Sequence, residues 1–176
     1  MCGIFGYYNY NVGQQDLQGI LDTLFKGLRR LEYRGYDSSG VCVDICEPND
    51  DASPPPLTIL SSGGGAPLSP ASIARLRPSS AAALGTSGRA VVLKAEGKVD
   101  GLEQLARRHI KERRVDASQR HPTHVGISHT RWATHGPPSA VNAHPHTSDA
   151  SNEFVVVHNG IITNYAALRE WLVSLC

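Results

Sequence analysis

The chain has 176 residues, with 17 basic and 16 acidic side chains and a formal net charge of +1. This length is enough to bury a hydrophobic core as one domain. The near-neutral charge gives no reason to expect nucleic acid or an anionic membrane surface as a partner. No window has the apolar length of a membrane span, and the first residues lack a secretory signal pattern. We therefore expect a cytoplasmic protein with no membrane partner.

The first six residues, Met1-Cys2-Gly3-Ile4-Phe5-Gly6, open a predicted strand over residues 2–8. Because the side chain of Cys2 is small, we expect removal of Met1, after which Cys2 would carry both a thiol and a free α-amine. Such groups have ordinary pKa values of about 8.5 and about 7.7–8.0. One residue could then supply a nucleophile and its base. Taken alone, Cys2 fits a buried strand cysteine without chemistry better, because free cysteine is among the most buried residue types.

An amphipathic helix is predicted from Asp16 onwards, because apolar residues recur at every third or fourth position. They are Leu17, Ile20, Leu21, Leu24, Phe25, Leu28 and Leu31. A turn-rich stretch over 31–40 follows and leads into a predicted strand over 41–45. The stretch is dense in arginine, tyrosine and aspartate, and loops with such chemistry often carry function. We therefore expect it to line a site.

Residues 47–88 have a different composition, with the runs Pro54-Pro55-Pro56 and Gly63-Gly64-Gly65 and few large apolar residues. Such a segment cannot offset the conformational entropy that ordering it would cost. We predict a low-complexity, disordered insertion. Regular structure is expected to resume with a strand over 90–93 and an amphipathic helix over about 100–114.

The last third of the chain contains three further polar motifs between predicted strands. A strand over 123–128 runs into the motif at 129–136, and the motif at 142–146 precedes an apolar strand over 154–157. Asn159-Gly160 then lies between apolar runs, which predicts a two-residue hairpin turn. A final helix is expected, with Thr163 or Asn164 as its cap.

These motifs contain the groups that an attack by Cys2 on an acyl carbon would need. Asn159 and Gly160 could supply a side-chain amide and a backbone N–H to a developing oxyanion. The guanidinium of Arg131, with the hydroxyl of Thr134 and the imidazole of His135, suits a substrate carboxylate. A plain turn and an exposed surface loop are the alternatives without chemistry.

The eight histidines raise the hypothesis of a metal site. Their spacings match neither a helical HExxH motif nor a Cys/His finger. The cysteines at 2, 42, 46 and 176 form neither a CxxC pair nor a disulfide framework. We therefore expect no metal and no cofactor. His144 is interpreted as part of a site wall and Trp132 as a core or wall aromatic.

Five motifs together resemble the glutaminase domain of the glutamine:fructose-6-phosphate amidotransferases, which form hexosamine phosphates. They lie at 2–6, 30–38, 129–136, 142–146 and 158–165, in the order found in that family. An alternative is another N-terminal-cysteine amidotransferase, such as amidophosphoribosyltransferase or asparagine synthetase, but the runs at 31–37 and 131–136 favour the first. A remnant that binds glutamine or a partner chain without turnover is a hypothesis of a different class.

The resemblance implies an α+β fold, the four-layer αββα sandwich of antiparallel sheets found in N-terminal-nucleophile hydrolases. It also implies that L-glutamine is hydrolysed through a Cys2 thioester, with ammonia as a product. The implied catalytic residues are Cys2, Asn159 and Gly160; the implied α-carboxylate binders are Arg131, Thr134 and His135. Trp132 matches the gate of an ammonia path, and Arg34 and His144 match supporting residues.

By the same resemblance, residues 1–176 are expected to be an incomplete class II glutamine amidotransferase domain. In the family, the aspartate that binds the substrate α-ammonium follows the last helix. In this chain, Asp149 and Glu153 are the nearest acids before that helix. The sugar-isomerase domains, which bind fructose-6-phosphate and accept the ammonia, are absent, and full-length relatives are implied to be homo-oligomers. We therefore expect this piece alone to be a weak glutaminase at best, making no glucosamine-6-phosphate.

Overall fold

The computed structural model describes residues 2–10, 16–45, 60–61, 89–118, 120, 123–148 and 154–175. The strands are β1 (Gly3–Tyr10), β2 (Ser38–Ile45), β3 (Leu60–Ser61), β4 (Arg89–Glu96), β5 (Thr123–Arg131), β6 (His146–Thr147) and β7 (Val155–Val156). The helices are α1 (Leu17–Leu31), α2 (Val99–Arg113) and α3 (Tyr165–Ser174), and a 3-10 turn at Glu32–Arg34 follows α1. This mixture of helices and largely antiparallel strands confirms the α+β class.

Several sequence predictions fall outside the described residues. Apart from β3, the predicted disordered insertion at 47–88 lies there, and it stays a prediction. Cys46, Cys176, Asp149 and Glu153 lie there too. Among the helices that the structure does describe, none is both long and apolar enough to cross a membrane.

Five strands form one sheet in the order β1-β5-β2-β4-β3. The pairs β1/β5, β5/β2 and β2/β4 are antiparallel, whereas β3 runs parallel to β4. In this register His129 of β5 lies between Ile4 of β1 and Gly40 of β2. The sheet therefore brings the first strand against a strand more than a hundred residues later. A separate antiparallel pair joins β6 to β7.

The predicted helix α1 is confirmed, and its ends are explained by local chemistry. The side chain of Asp16 accepts a hydrogen bond from the backbone N–H of Gly19 at 2.8 Å, which caps the first turn. Arg29 and Arg30 lie in the last turn, where positive charge complements the helix dipole. One face of α1 is buried against the sheet, and the ring of Phe5 lies directly on Gly27.

The second helix runs one residue earlier than predicted and is anchored to the first. The backbone N–H of Val99 donates to Glu32 Oε1 at 2.8 Å, so a side chain from the turn after α1 satisfies the start of α2. Arg29 also pairs with Asp100 at 3.0 Å and with Glu103. The core between these helices and the sheet is apolar, with Leu24, Leu28, Val41, Val43, Val99 and Leu102 fully buried.

The opposite face of the sheet is covered over part of its area only. Any side chain at Gly40 would overlap the carbonyl oxygen of His144, so the segment around 142–146 lies directly on β2. At the other edge Ile4, Tyr8 and Val125 are 42%, 68% and 51% exposed. This face therefore combines a covered polar part with an open apolar part.

The prediction of a hairpin at Asn159-Gly160 is wrong. Strand β7 ends at Val156, shorter than the predicted 154–157, and it pairs back with β6 through His146↔Val156. Residues 161–162 form no strand, so the turn has no second arm to support it. Helix α3 begins after Asn164, one of the two predicted caps, although the Asn164 side chain makes no capping hydrogen bond.

Candidate active site around Cys2

Cys2 lies at the open end of the β1/β5 pair, opposite the last residues of β5. Its Sγ accepts a hydrogen bond from the backbone N–H of Trp132 at 3.3 Å, and lies 3.8 Å from the Trp132 carbonyl oxygen. The register Gly3↔Thr130 explains this contact, because it carries Cys2 to the point where β5 ends. Cys2 is half-buried, and its thiol is held by the main chain of Trp132, which lies 130 residues away, directly after β5.

The segment after β5 is itself fixed by the turn-rich stretch at 31–40. Asp37 donates its backbone N–H to the Arg131 carbonyl at 3.1 Å, and its carboxylate accepts from the Ala133 N–H at 2.7 Å. A Cβ at Gly35 would lie 2.6 Å from the Arg131 carbonyl carbon, so this backbone approach requires glycine. The stretch expected to line a site therefore contacts the segment that holds Cys2.

Asp37 was not singled out from the sequence. The available signal was its position within the Gly35-Tyr36-Asp37 run, where a short acid after a turn favours hydrogen bonds to backbone N–H groups. What the sequence did not reveal is that its partner would be Ala133, which lies 96 residues away.

Asn159 reaches Cys2 from the other side. Its side-chain Nδ2 donates to the Cys2 carbonyl oxygen at 3.1 Å, and its Oδ1 lies 2.9 Å from Nε2 of His129. His129 is fully buried on β5. The structure thus brings together Cys2, Trp132 and Asn159, from three separate motifs, and adds His129, which the sequence had not singled out for this role.

A stack of three histidine rings lies beside this contact. His129 and His144 have ring centroids 4.6 Å apart, and His144 and His146 are 4.3 Å apart. Burial, followed by the charges of His129, His146 and Lys94, lowers the pKa of His144 to about 3. Burial likewise lowers the pKa values of His129 and His146, and it lowers that of Lys94 to about 8. The three rings are therefore neutral at physiological pH.

Neutral imidazoles are also common metal ligands. Within the described part of the chain, no group of three or more His, Cys, Asp or Glu side chains could hold a metal ion. The three rings pack on one another beside the contact between His129 and Asn159, and the role of His144 in a site wall stays a prediction.

Arg131 is buried, and its side-chain hydrogen bonds are with the loop that follows it. Its Nη1 donates to the Pro137 carbonyl at 3.2 Å, and its Nη2 donates to the carbonyls of His135 and Gly136. Thr134 and His135 are exposed on that loop, with Oγ1 and Nδ1 3.4 Å apart. The three residues predicted to bind a carboxylate therefore share one loop, and their binding role stays a prediction.

The other predicted site residues, Trp132, Arg34 and Gly160, make different kinds of contact. The Trp132 ring is 42% exposed and meets Tyr36 edge-on, with centroids 5.7 Å apart. Arg34 donates from Nε to the hydroxyl of the adjacent Tyr33 at 2.7 Å, and its guanidinium lies over the ring of the same residue. Gly160 follows Asn159 with φ +149°, where a Cβ would come within 3.0 Å of His158 Nε2.

Cys42 offers a contrast with Cys2 among the described cysteines. It lies on β2 and is 7% exposed. Burial, reinforced by the nearby charge of Asp44, raises the pKa of its thiol to about 12. The thiolate is the nucleophilic form of cysteine, so the raised pKa makes Cys42 inert at neutral pH, and Cys2 is the more accessible of the two residues.

Comparison with known proteins gives a consistent result. The chain is 41% identical over 174 residues to rat (Rattus norvegicus) glutamine–fructose-6-phosphate aminotransferase (isomerizing) 1. It is 43% identical to the probable enzyme of that name from Schizosaccharomyces pombe and 38% identical to that from Saccharomyces cerevisiae. Each alignment covers 99% of this chain and 18–20% of the relative.

No protein-family model matches the chain. The chain spans about a fifth of the length of these curated relatives. The resemblance seen in the five motifs is nevertheless confirmed, since the alignment with these relatives extends over 174 residues and so includes the segments between the motifs. Over 99% of its length, this chain is a homologue of the N-terminal part of the isomerizing glutamine–fructose-6-phosphate aminotransferases.

Proposed function

We propose that this chain is the glutaminase part of a glutamine–fructose-6-phosphate aminotransferase. It would hydrolyse the side-chain amide of L-glutamine through a thioester on Cys2 and release ammonia. The observation that supports this most strongly is the meeting of three distant motifs at one cysteine. Trp132 donates to the Cys2 sulfur, and Asn159 donates to the Cys2 carbonyl.

The proposed reaction needs only groups that Cys2 and its neighbours supply. Once Met1 is removed, the α-amine of Cys2 takes the thiol proton, and Sγ bonds to the amide carbon of glutamine. The Asn159 amide and the Gly160 N–H stabilise the resulting oxyanion. Its collapse breaks the C–N bond, the leaving nitrogen takes the proton from the α-ammonium, and ammonia departs. Water then cleaves the thioester, yielding glutamate and the free thiol.

Substrate binding is assigned to the loop that follows β5. The exposed Thr134 and His135 can donate to the α-carboxylate of glutamine, with the charge of Arg131 buried beneath them. The exposed Trp132 ring next to Cys2 suits a gate for departing ammonia. Arg34 and His144 take supporting roles, and the stacking of His144 on His129 is consistent with this for the latter.

The open face of the sheet supports the finer fold assignment. In a four-layer αββα sandwich a second antiparallel sheet packs on the face that the helices leave free. Ile4, Tyr8 and Val125 expose apolar surface on that face. We therefore assign the N-terminal-nucleophile hydrolase fold to this domain, with 47–88 as its variable insertion.

The wider role follows from the relatives' name and belongs to the same proposal. Ammonia released at Cys2 would serve the amination of fructose-6-phosphate to glucosamine-6-phosphate, in the hexosamine pathway of the cytoplasm. The acceptor chemistry is assigned to the remainder of a homo-oligomeric enzyme, and these 176 residues alone are expected to make no sugar phosphate.

The test is intact-mass analysis before and after incubation with a diazo-ketone analogue of glutamine. We expect a protein that has lost Met1 to gain one adduct, and excess glutamine to prevent the gain. Cys2→Ser should take up no thiol-linked label, because the thiol is gone. Serine is chosen because its small side chain still permits removal of Met1. Cys42→Ala should label like the wild type, because the Cys42 thiol is buried.

Two results would contradict the proposal. One is labelling that glutamine does not suppress, or that Cys42→Ala abolishes. The other is a chain without Met1 that takes up no label at all.

A further inference from the structure

Asn159 lies in a segment with no regular structure of its own. Residues 157–162 form neither strand nor helix, and Asn159 is exposed. The terminal torsion of an asparagine side chain is broad and roughly two-fold, so one contact does not fix the plane of the amide. A useful oxyanion donor must instead be held in advance of the reaction. The orientation of this amide therefore has to come from a second, more rigid neighbour.

His129 has the rigidity that Asn159 lacks. It lies on β5, which is paired on both sides, with Ile4 on one strand and Gly40 on the other. Its side chain is 0% exposed, and its ring packs against His144 with centroids 4.6 Å apart. The position of its ring nitrogens is thus set by the sheet.

Donor and acceptor chemistry fixes which atoms face each other. The Cys2 carbonyl can only accept, so the amide nitrogen of Asn159 faces it at 3.1 Å. Oδ1 of Asn159 must then face His129, and because this oxygen only accepts, Nε2 of His129 carries the hydrogen across 2.9 Å. Burial lowers the pKa of His129, which keeps the ring neutral, and the ring hydrogen-bonds both to the Asn159 side chain and to the backbone of His158 in the same segment.

We propose that His129 is a positioning residue that clamps the Asn159 amide from Oδ1, so that the second Nδ2 hydrogen is held ready for the oxyanion. This role rests on the proposed glutaminase function. His129 contacts neither the sulfur nor, in this assignment, the substrate, and it acts on the reaction only through Asn159.

The test compares His129→Leu with His129→Gln. Leucine has a similar volume but no donor, whereas the glutamine amide nitrogen can lie near the place of Nε2. We expect His129→Leu to lower kcat for glutamine hydrolysis by about 10²–10³-fold, the loss typical of one oxyanion donor, with KM nearly unchanged. His129→Gln should stay within about tenfold of the wild-type kcat.

Alkylation of Cys2 by iodoacetamide provides a matched control at the same sulfur. This displacement passes through no oxyanion, so its rate should be equal in the wild type and both variants. A merely structural role would change the alkylation rate and KM together with kcat. Equal losses in the two variants, or an unchanged kcat in His129→Leu, would overturn the proposal.

A readout that needs no turnover separates this inference from the glutaminase proposal. In ¹⁵N NMR the Asn159 side-chain NH₂ should give two distinct, slowly exchanging hydrogens in the wild type and in His129→Gln. In His129→Leu they should converge and exchange faster. An unchanged NH₂ pattern would refute the clamp. If the pattern changes while the wild type neither hydrolyses glutamine nor takes up the diazo-ketone, the clamp stands and the glutaminase proposal fails.

Discussion

Helices α1 and α3 are both rich in leucine, yet they are placed very differently. On α1, Leu28 is fully buried against the sheet, whereas on α3 Leu172 is 54% exposed, and no residue of α3 is buried. The difference lies less in composition than in the partner. Helix α1 packs on β1, β2 and β5, and no described sheet receives α3. Burial of an apolar stripe requires a surface that accepts it.

The candidate site spans these two regions. Cys2 and Trp132 belong to the region with the sheet and its core, where hydrogen-bonded ladders fix the backbone. Asn159 belongs to the segment 154–175, which is tied to the rest through β6/β7 and the contacts of its side chain. The nucleophile is thus held by the fold, whereas the proposed oxyanion donor is held by individual contacts. Each prediction below tests this contrast.

The largest expected effect compares the same substitution on the two helices. Leu28→Ala should lower the free energy of unfolding by about 2–5 kcal/mol, because it leaves a cavity in a filled core. Leu172→Ala should change it by no more than about 0.5 kcal/mol, because the residue is already 54% exposed. Urea denaturation followed by circular dichroism measures both. A cost above about 1.5 kcal/mol for Leu172→Ala would mean that α3 is packed against the rest of the protein.

The second prediction concerns the place where the two regions meet on β2. Gly40→Ala would force a methyl group into the His144 carbonyl oxygen, so we expect a loss of about 1–3 kcal/mol and weaker capture of the diazo-ketone. Gly6→Ala on β1 is the matched control, since its nearest non-neighbouring atom is 3.8 Å away. Equal stability of the two variants would show that the 142–146 segment does not lie on the sheet.

The third prediction uses pH to protonate the histidine stack, which includes His146 of β6. A histidine whose folded-state pKa is lowered resists protonation, so the unfolded chain binds more protons between about pH 6.5 and pH 3. Stability should therefore fall as the pH is lowered through this range, with His144, whose pKa is about 3, as a main contributor. After allowance for solvent screening, we expect its share to be about 1 kcal/mol between pH 7 and pH 5.

His144→Gln, which does not titrate, should flatten this profile. Thermal unfolding at a series of pH values measures the slope. An identical slope in the variant would assign the acid sensitivity to groups outside the stack.

The smallest effect is expected in α2, away from the candidate site and from the contact between β2 and the 142–146 segment. Gly101→Ala should stabilise the protein by about 0.5–1 kcal/mol, because alanine favours a helix and the nearest atom to its Cβ is 4.0 Å away. Thermal unfolding would register a small rise in Tm. A decrease would show that the exposed side of α2 is more tightly packed than its contacts indicate.

Much of the fold could be predicted from local patterns. The 3.6-residue spacing of apolar side chains predicted α1 and α2 to within a residue or so, alternation predicted β2, and short strands were also predicted within β4 and β5. The ends of β2 and β5 were underestimated, since Ser38 and Arg131 are polar yet lie within strands. Polar residues at strand ends give no periodic signal of their own, even when the sheet buries them.

The convergence of the site could not be predicted from local patterns. Cys2, Trp132 and Asn159 are up to 157 residues apart, and no periodicity links positions at that distance. Only the family resemblance grouped them. The hairpin prediction at Asn159-Gly160 was wrong for a related reason, since turn chemistry specifies a bend but not whether a strand follows it. His129 was read as part of a motif, and its bond to Asn159 depends on the register of β5.

The pairing of β1 with β5 has a consequence for the order of events during synthesis. Strand β1 has β5 as its one neighbour in the described sheet, and residue 123 must be made before that pairing can begin. At about 5–20 residues per second, roughly 6–25 s pass between translation of the first strand and of its partner. Throughout that interval the chain terminus lacks its strand partner. The peptidase that would remove Met1 and free the Cys2 amine can therefore act before β1 pairs with β5.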